Sequence, residues 1–243
     1  IFLALKEYLS LIPTRRVDRS VLLLVYLTIP VQLVLAAYDR YGLFLVFIPV
    51  WAYLLITMAM VLIGKTHGYL RAVGTISWGL MLTVFALSHI AYLMVVGERA
   101  NPVAGGAGLL FFLLFLTQFN DVAQYVSGRT LGPYGVLGKV LPAVSPNKTW
   151  EGLLGGIVTT MIVAGIVGPL LTPMPWLWSV AAGAVLAIAG FLGDVTWSAF
   201  KRDLGVKDTS TFIPGHGGVL DRVDSLTFAS PVFTHAFIFF FAS

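Results

Sequence analysis

Basic residues and glycines are concentrated in the segment 201–225. Lys201, Arg202 and Lys207 place positive charge close together, an arrangement that suits a polyphosphate. Residues 215–218 read Gly-His-Gly-Gly, a flexible stretch whose backbone amides can approach an anion closely. The basic residues alone are typical of a positively charged helix flank, and the glycines alone are typical of a turn. Their occurrence together indicates a phosphate-binding loop.

Two acids follow in the same segment. Asp221 and Asp224 are three residues apart, so on a helix they share one face. Carboxylates that close repel each other unless a divalent cation lies beside them. Mg²⁺ prefers few carboxylates together with phosphate oxygens of a substrate, so the pattern favours a cation-dependent, nucleotide-handling site over a closed structural cage.

Two further acids lie in strongly apolar stretches. Asp121 follows Asn120, and Asp194 ends the sequence Phe-Leu-Gly-Asp. A carboxylate in hydrocarbon costs about 3 kcal/mol even on the mildest scales, so each acid needs a partner from elsewhere in the chain. Hydration at the membrane interface is the alternative explanation. Asp194 is the stronger functional candidate, because Lys201 follows it by about two helical turns on the same face.

A second polar segment covers residues 145–152. Ser145 followed by Pro146 is typical of a helix start, with serine as the N-cap and proline in the first turn. Helix N-termini attract phosphate, and Lys148 would add a full positive charge. A helix cap with an ordinary positive flank explains the same residues equally well.

The composition places these residues in a membrane protein. Of the 243 residues, 58% are hydrophobic and 11% are charged, and the mean hydropathy is +0.91. Soluble domains are about 25% charged, so the bilayer must supply the apolar solvent here. The chain has no cysteine, which excludes disulfides and thiolate metal sites and leaves oxygen or imidazole ligands for any metal.

We predict an all-α, polytopic membrane protein with about seven transmembrane helices, since about 20 apolar residues cross a hydrocarbon core. The predicted spans are 20–38, 42–63, 73–96, 106–126, 152–171, 176–200 and 226–242. The shorter amphipathic piece 1–12 is interpreted as interfacial or as the end of a preceding span. We predict a single catalytic domain, 1–243, with helical spans in 1–105 and the active-site loops in 106–243. Because the sequence begins at Ile1 and stops directly after an apolar run, we expect a longer native chain with one or more further helices.

The placement of lysine and arginine predicts the orientation. The segments that would share the cytosolic side are 1–19, 64–72, 127–151 and 201–225. Their basic residues are Lys6, Arg15, Arg16, Arg19, Lys65, Arg71, Arg129, Lys139, Lys148, Lys201, Arg202, Lys207 and Arg222. The opposite face keeps only Arg40 and Arg99, as the positive-inside rule requires. We therefore expect an active site that faces the cytosol and is built from the two longest polar loops.

The segment 198–224 resembles the signature of the phosphatidate cytidylyltransferases, or CDP-diacylglycerol synthases. That signature has a serine, Lys-Arg two residues later, Lys-Asp after four more, and then His-Gly-Gly, Asp-Arg and a final aspartate. The matching residues are Ser198, Lys201, Arg202, Lys207, Asp208, Ser210, Ile213, Pro214, His216, Gly217, Gly218, Asp221, Arg222 and Asp224. Residues 120–129 and 145–152 are also similar to upstream blocks of the family.

The resemblance implies an enzyme of phospholipid biosynthesis that condenses CTP with phosphatidic acid to give CDP-diacylglycerol and pyrophosphate. It implies a Mg²⁺ cofactor, as one cation or two, and a bacterial inner membrane as the location. The partners would be CTP, phosphatidic acid and the lipid bilayer, with no nucleic acid, and a homodimer is left open. Because the attacking phosphate is already an anion, catalysis would rest on positioning and charge neutralisation rather than on a strong base.

The resemblance also implies a role for each candidate residue. The metal ligands would be Asp194, Asp221 and Asp224. The expected catalytic residues are Lys201, Arg202, Lys207, His216 and Asp221, with His216 donating a hydrogen bond to phosphate. The expected substrate-binding residues are Asn120, Asp121, Ser145, Asn147, Lys148, Ser198, Gly215, Gly217, Gly218 and Arg222.

Two alternatives to this function remain. A related CTP-dependent enzyme could act on another lipid, such as an archaeal ether-lipid phosphate or a polyprenol. An ion-coupled transporter could use Asp121 and Asp194 as an ion path, which predicts broken helices and an inverted repeat. The sequence shows no such repeat, and transport leaves the His-Gly-Gly stretch unexplained.

Overall fold

The computed structural model describes residues 1–13, 18–212 and 217–242. These residues form helices almost throughout, with one two-stranded antiparallel hairpin. Within them, seven helices are long and apolar enough to cross a membrane. They are Arg19–Ala37, Tyr41–Leu62, Tyr69–Ala100, Gly105–Tyr134, Trp150–Leu171, Trp176–Asp203 and Leu220–Ala242. The prediction of an all-α polytopic membrane protein is confirmed.

The chain divides into two compact units, of which the first is Ile1–Tyr92 with Asp208–Asp221. Its helices are α1 (Phe2–Leu11), α2 (Arg19–Ala37), α3 (Tyr41–Val46), α4 (Tyr53–Leu62), α5 (Tyr69–Gly79) and the beginning of α6 (Ala86–Ala100). The π-helical segments Phe47–Ala52 and Leu80–Phe85 join α3 to α4 and α5 to α6. Each joined pair therefore crosses the membrane as one continuous span.

Helix α1 is anchored within the first unit by one buried face. The Tyr8 hydroxyl donates a hydrogen bond of 2.5 Å to the carbonyl of Thr75 on α5. Burial raises the pKa of Tyr8 above its usual range, so the hydroxyl remains a donor at neutral pH. A Cβ at Gly79 would overlap the Tyr8 ring, which shows how closely α1 and α5 approach. The buried residues of α1 are Ala4, Leu5, Tyr8 and Leu9.

The second unit is Leu93–Lys207 with Arg222–Ser243. It contains the end of α6, α7 (Gly105–Leu131), β1 (Lys139–Leu141), β2 (Ser145–Thr149), α8 (Trp150–Leu171), α9 (Trp176–Asp203) and α11 (Leu226–Phe237). The short helix α10 (Leu220–Val223) crosses the boundary between the units along the chain. Asp224 follows the end of α10, so Asp221 lies in this helix and Asp224 lies outside it.

Small residues bring the helices of the second unit close together. A Cβ at Gly152 of α8 would lie 2.9 Å from the carbonyl oxygen of Gln124 on α7. A Cβ at Gly183 of α9 would lie 3.0 Å from the carbonyl oxygen of Thr160 on α8. Helices in membranes associate through such small-residue contacts, because lipid provides no hydrophobic drive for helix pairing.

The prediction that Ser145 and Pro146 start a helix is wrong. Residues Ser145–Thr149 form β2, in which Thr149 pairs with Lys139 and Ser145 pairs with Leu141. Helix α8 begins at Trp150, and the Thr149 hydroxyl accepts a hydrogen bond of 3.1 Å from the Gly152 amide. Threonine takes the N-cap position because its oxygen satisfies a first-turn N–H. Lys148 therefore projects from a strand that leads directly into a membrane helix.

Candidate active site

Three acids come together within the second unit. Asp121 on α7, Asp194 on α9 and Asp224 before α11 interact electrostatically with one another. All three are partly buried, so water screens their mutual repulsion only weakly. Such a cluster requires positive charge nearby.

Basic residues supply part of that charge. Lys148 and Arg222 attract Asp121, and Lys201 attracts Asp224. Three cations therefore lie near the three carboxylates within the second unit. This pattern can bind a phosphate through its basic residues and a metal through its acids.

Ser225 connects two of the acids. Its hydroxyl donates a hydrogen bond of 2.9 Å to Asp121 Oδ2, and its amide donates one of 2.8 Å to Asp224 Oδ1. A Cβ at Gly193 would collide with the carbonyl oxygen of Asp224. The residue before Asp194 must therefore be small for α9 to approach the start of α11.

Asp194 is paired with a lysine from the hairpin. Lys148 Nζ forms an ion pair with Asp194 Oδ2, and the Ser198 hydroxyl donates a hydrogen bond of 3.2 Å to Asp194 Oδ1. The same Nζ lies 4.6 Å from the centre of the Phe191 ring. The side chains of Lys148 and Asp194 are 21% and 26% exposed, so the pair stays accessible from a cavity. The expectation that Asp194 takes its partner from elsewhere in the chain is confirmed.

A cavity of about 420 Å³ opens beside this ion pair. Its volume lies in the range of sites that hold a small molecule. Its walls come from α7, β2, α8 and α9, all in the second unit. The lining residues are Asp121, Gln124, Tyr125, Gly128, Arg129, Ser145, Asn147, Lys148, Thr149, Gly152, Leu153, Phe191 and Asp194. The predicted residues Asp121, Ser145, Asn147, Lys148 and Asp194 therefore share one cavity.

The remaining predicted residues of the second unit have other surroundings. Asn120 is fully buried. Its Nδ2 donates a hydrogen bond of 3.3 Å to the Ala187 carbonyl, and its Oδ1 accepts one of 3.3 Å from the Thr160 hydroxyl. Arg202 is exposed, and its Nε donates a hydrogen bond of 3.4 Å to the carbonyl of Val144 in the hairpin. Lys207, which follows α9 in the chain, is exposed.

The predicted site residues of the first unit form a second cluster around Asp221. Asp221 Oδ2 accepts hydrogen bonds from the Thr209 amide at 2.8 Å, the Thr209 hydroxyl at 2.9 Å and the Gly218 amide at 2.9 Å. Gly217 has a φ of +78°, a backbone conformation that favours glycine. Through these bonds Asp221 of α10 holds Thr209 and Gly218 together. The predicted residues Gly215 and His216 lie outside the described residues.

No group of three or more acidic or histidine side chains in the described parts of the chain is arranged as a ready-made metal site. The donor set nevertheless suits Mg²⁺, which takes one or two carboxylates and completes its shell with water and substrate phosphate. Asp194 and Asp224 supply carboxylate oxygens of that kind. The metal roles of Asp194, Asp221 and Asp224 stay predictions.

Several residues that line the cavity were not among the predicted site residues. Gln124, Tyr125, Arg129, Thr149 and Phe191 line the cavity, and the Tyr125 hydroxyl accepts a 2.9 Å hydrogen bond from Arg129. The similarity of residues 120–129 to a block of the family could have indicated Gln124, Tyr125 and Arg129. Glu7 of the first unit, which follows Lys6 in the amphipathic segment 1–12, was not predicted as a site residue either.

The chain belongs to the cytidylyltransferase family, whose pattern matches residues 1–241. This membership confirms the family expected from the segment 198–224. Together with the seven apolar helices, it makes the chain an integral membrane protein of this enzyme family.

The chain is also similar to individual proteins, two of which are named as phosphatidate cytidylyltransferases. The chain is 48% identical over 232 residues to the uncharacterized protein YnbB of Escherichia coli, covering 96% of this chain and 74% of the relative. It is 43% identical over 143 residues to a phosphatidate cytidylyltransferase of Haemophilus influenzae, covering 55% of this chain and 47% of the relative. A phosphatidate cytidylyltransferase of Staphylococcus saprophyticus is 33% identical over 183 residues, covering 73% and 66%. The chain thus spans less than two thirds of these two enzymes.

Proposed function

We propose that this protein condenses CTP with phosphatidic acid to form CDP-diacylglycerol and pyrophosphate. The observation that carries the proposal is the Lys148–Asp194 ion pair, which lines a cavity together with Asp121 at the ends of membrane helices. Membership of the cytidylyltransferase family, and the two relatives named as phosphatidate cytidylyltransferases, support the reaction.

The reaction joins two anions. An oxygen of the lipid phosphate forms a bond to the α-phosphorus of CTP, and the bond from that phosphorus to the bridging oxygen of pyrophosphate breaks. The nucleophile needs no deprotonation, so the main barrier is electrostatic repulsion and orientation. Lys148 and Arg129 in the cavity wall would bind phosphate oxygens, and Tyr125 orients the Arg129 guanidinium.

Mg²⁺ is the proposed cofactor, held by Asp194 and Asp224 with Asp121 as the third acid of the cluster. When bound, Mg²⁺ would neutralise charge on the phosphates and on the departing pyrophosphate. A phosphate that enters the cavity offers Lys148 a second anionic partner, which would free Asp194 Oδ2 for the cation. Lys148 would thus be paired with Asp194 only while the substrate is absent.

The membrane supplies one substrate and the aqueous phase the other. We place the hairpin β1–β2 on the cytosolic side of the bacterial inner membrane, where CTP would reach it directly from solution. Phosphatidic acid would enter laterally, with its acyl chains among the helices and its headgroup at their ends. A homodimer stays a prediction.

The test uses purified protein in lipid with two forms of labelled CTP. With Mg²⁺ and phosphatidic acid, label in the α-phosphate should enter the lipid phase, and label in the γ-phosphate should leave as pyrophosphate. Transfer of the γ-label to lipid would instead identify a CTP-dependent kinase. If neither label is transferred to any phosphatidic acid tested, the proposed reaction is wrong.

Two variants connect the assay to the cavity. Asp194→Asn should lower transfer by about 100-fold, because it removes the charge that pairs with Lys148 and the proposed cation. Asp203→Asn is the matched control, since Asp203 is an exposed acid at the end of the same helix. Parallel assays with ether-linked lipid phosphate and polyprenol decide between acceptor lipids. Family membership favours this enzyme over the transporter alternative.

A further inference from the structure

Glu7 lies at the centre of the first unit's polar contacts, although it belongs to the amphipathic helix α1. Glu7 Oε1 accepts hydrogen bonds from the Ser210 hydroxyl at 2.6 Å and the Val219 amide at 2.9 Å. Glu7 Oε2 accepts one from the Leu220 amide at 2.8 Å and lies 3.3 Å from the Thr209 hydroxyl. One carboxylate therefore binds both ends of the segment 209–220.

Glu7 and Asp221 share one hydrogen-bond donor, the Thr209 hydroxyl. The single Thr209 hydroxyl proton is within reach of Asp221 Oδ2 at 2.9 Å and of Glu7 Oε2 at 3.3 Å. The groups that face the two carboxylates at these distances donate hydrogen bonds, so both acids act as acceptors here. The two acids hold one loop through a common threonine.

Gly218 makes this arrangement sterically possible. A Cβ at Gly218 would lie 2.6 Å and 2.8 Å from the two carboxylate oxygens of Glu7, closer than real Cβ atoms approach. The third glycine of the Gly-His-Gly-Gly stretch is therefore packed closely against both Thr209 and Glu7. The loop and the acid on α1 fit each other as a pair.

The position of Glu7 is fixed by its neighbours on α1. Leu5, Tyr8 and Leu9 are buried, and Tyr8 is bonded to Thr75 on α5. The carboxylate is thus presented from a helix that is anchored in the membrane-spanning part of the first unit. A rigid support of this kind holds a functional loop more accurately than loop contacts alone.

We propose that Glu7 is a positioning residue for the transfer reaction, which holds Thr209, Ser210, Val219 and Leu220 in place through these four contacts. The inference rests on the proposed function, because the segment 209–220 carries Ser210, Gly217 and Gly218 of the family signature and leads directly to Asp221. Along the chain it lies between Lys207 and Arg222, two basic residues of the same signature. Glu7 touches no reacting atom and acts through the loop.

Glu7→Gln is the decisive variant. An amide keeps the size of the side chain but turns one acceptor into a donor that faces backbone N–H groups. We expect kcat to fall at least tenfold, with the KM for phosphatidic acid within about twofold of the unaltered protein. We also expect the amides of Val219 and Leu220 to exchange hydrogen at least tenfold faster, with no change in helices α7 to α9. Glu7→Asp, which retains the charge, should recover part of both losses.

The matched control is Lys6→Gln, which alters the adjacent exposed residue of α1 and leaves the loop contacts intact. If Glu7→Gln unfolds, Ser210→Ala removes the 2.6 Å bond without altering α1, and it should still lower kcat and speed exchange of Val219. Unchanged exchange of Val219 and Leu220 in the folded Glu7→Gln protein overturns the proposed contact. Faster exchange with full activity overturns the positioning role. The exchange measurement needs no turnover, so it separates a failure of this inference from a failure of the proposed reaction.

Discussion

Lys148 of strand β2 and Asp194 of helix α9 form an ion pair across 46 positions of the chain. The lysine sits beside the Phe191 ring, and the carboxylate takes a second hydrogen bond from Ser198. A hairpin at the membrane surface is thereby joined to an acid in a membrane helix. Both partners line the cavity, so the contact belongs to the candidate site and not only to the fold.

The first prediction concerns this ion pair. Lys148→Met should lower kcat/KM for CTP by about 100-fold, because it removes a phosphate-binding cation and leaves a partly buried carboxylate unpaired. The double variant Lys148→Met/Asp194→Asn should be little worse than either single variant, since the two groups act as one unit. Transfer of α-labelled CTP to lipid measures both effects.

Lys139→Met is the control for the lysine, as Lys139 is exposed on strand β1 of the same hairpin. It should retain nearly full transfer. Strictly additive losses in the double variant would show that Lys148 and Asp194 act independently.

The second prediction concerns the metal. Removal of divalent cations with a chelator should stop transfer, and added Mg²⁺ should restore it. Asp224→Asn should raise the Mg²⁺ concentration needed for half-maximal activity by at least about tenfold, because the cluster with Asp121 and Asp194 loses one negative charge. Titration of Mg²⁺ at saturating CTP gives this value.

A change in Mg²⁺ requirement should be confined to the cluster. Asp203→Asn should titrate like the unaltered protein. Equal Mg²⁺ requirements for Asp224→Asn and the unaltered protein would remove Asp224 from the proposed ligand set.

The third prediction separates two glycines of α9. Gly193→Ala should destabilise the protein by about 1–3 kcal/mol and lower activity, because its methyl group would collide with the Asp224 carbonyl oxygen. Gly190→Ala, one turn earlier, meets its nearest atoms at ordinary contact distances of 3.6 Å or more and should be neutral or slightly stabilising. Thermal unfolding in detergent and the transfer assay distinguish them. Equal tolerance of both alanines would contradict the close approach of α9 to Asp224.

The fourth prediction tests the start of α8. Thr149→Val removes the hydroxyl that accepts from the Gly152 amide and should cost about 1 kcal/mol of stability. Because Thr149 follows Lys148 directly, transfer activity should fall as well. Thr159→Val is the control in the same helix, since its hydroxyl donates only to the Gly155 carbonyl one turn back. A midpoint of unfolding that is the same for both variants would exclude a capping role.

The membrane topology could be predicted from the sequence because span length and apolarity are local properties. Asp121 and Asp194 were also recognisable, since an acid in an apolar stretch must be paired. Their partners were not recognisable. The ion pair with Lys148 and the hydrogen bond from Ser225 join distant parts of the chain, and no periodicity records them.

Glu7 illustrates the same limit. An isolated acid in an amphipathic segment is typical of a solvated helix face, and nothing near it in the sequence indicates a partner. The prediction of a helix start at residues 145–149 was wrong for a different reason. Ser-Pro is a common helix start, but pairing with residues 139–141 satisfies its backbone as a strand and shifts the cap to Thr149.

The contacts of Glu7 also affect how this protein is made. The Val219 amide that it binds lies 212 positions further along the chain. During synthesis Glu7 therefore cannot bind the Val219 amide until nearly all of the intervening helices have been made and inserted. Closing so long a connection is slow compared with forming a local helix, so the contact between Glu7 and Val219 forms late in biogenesis.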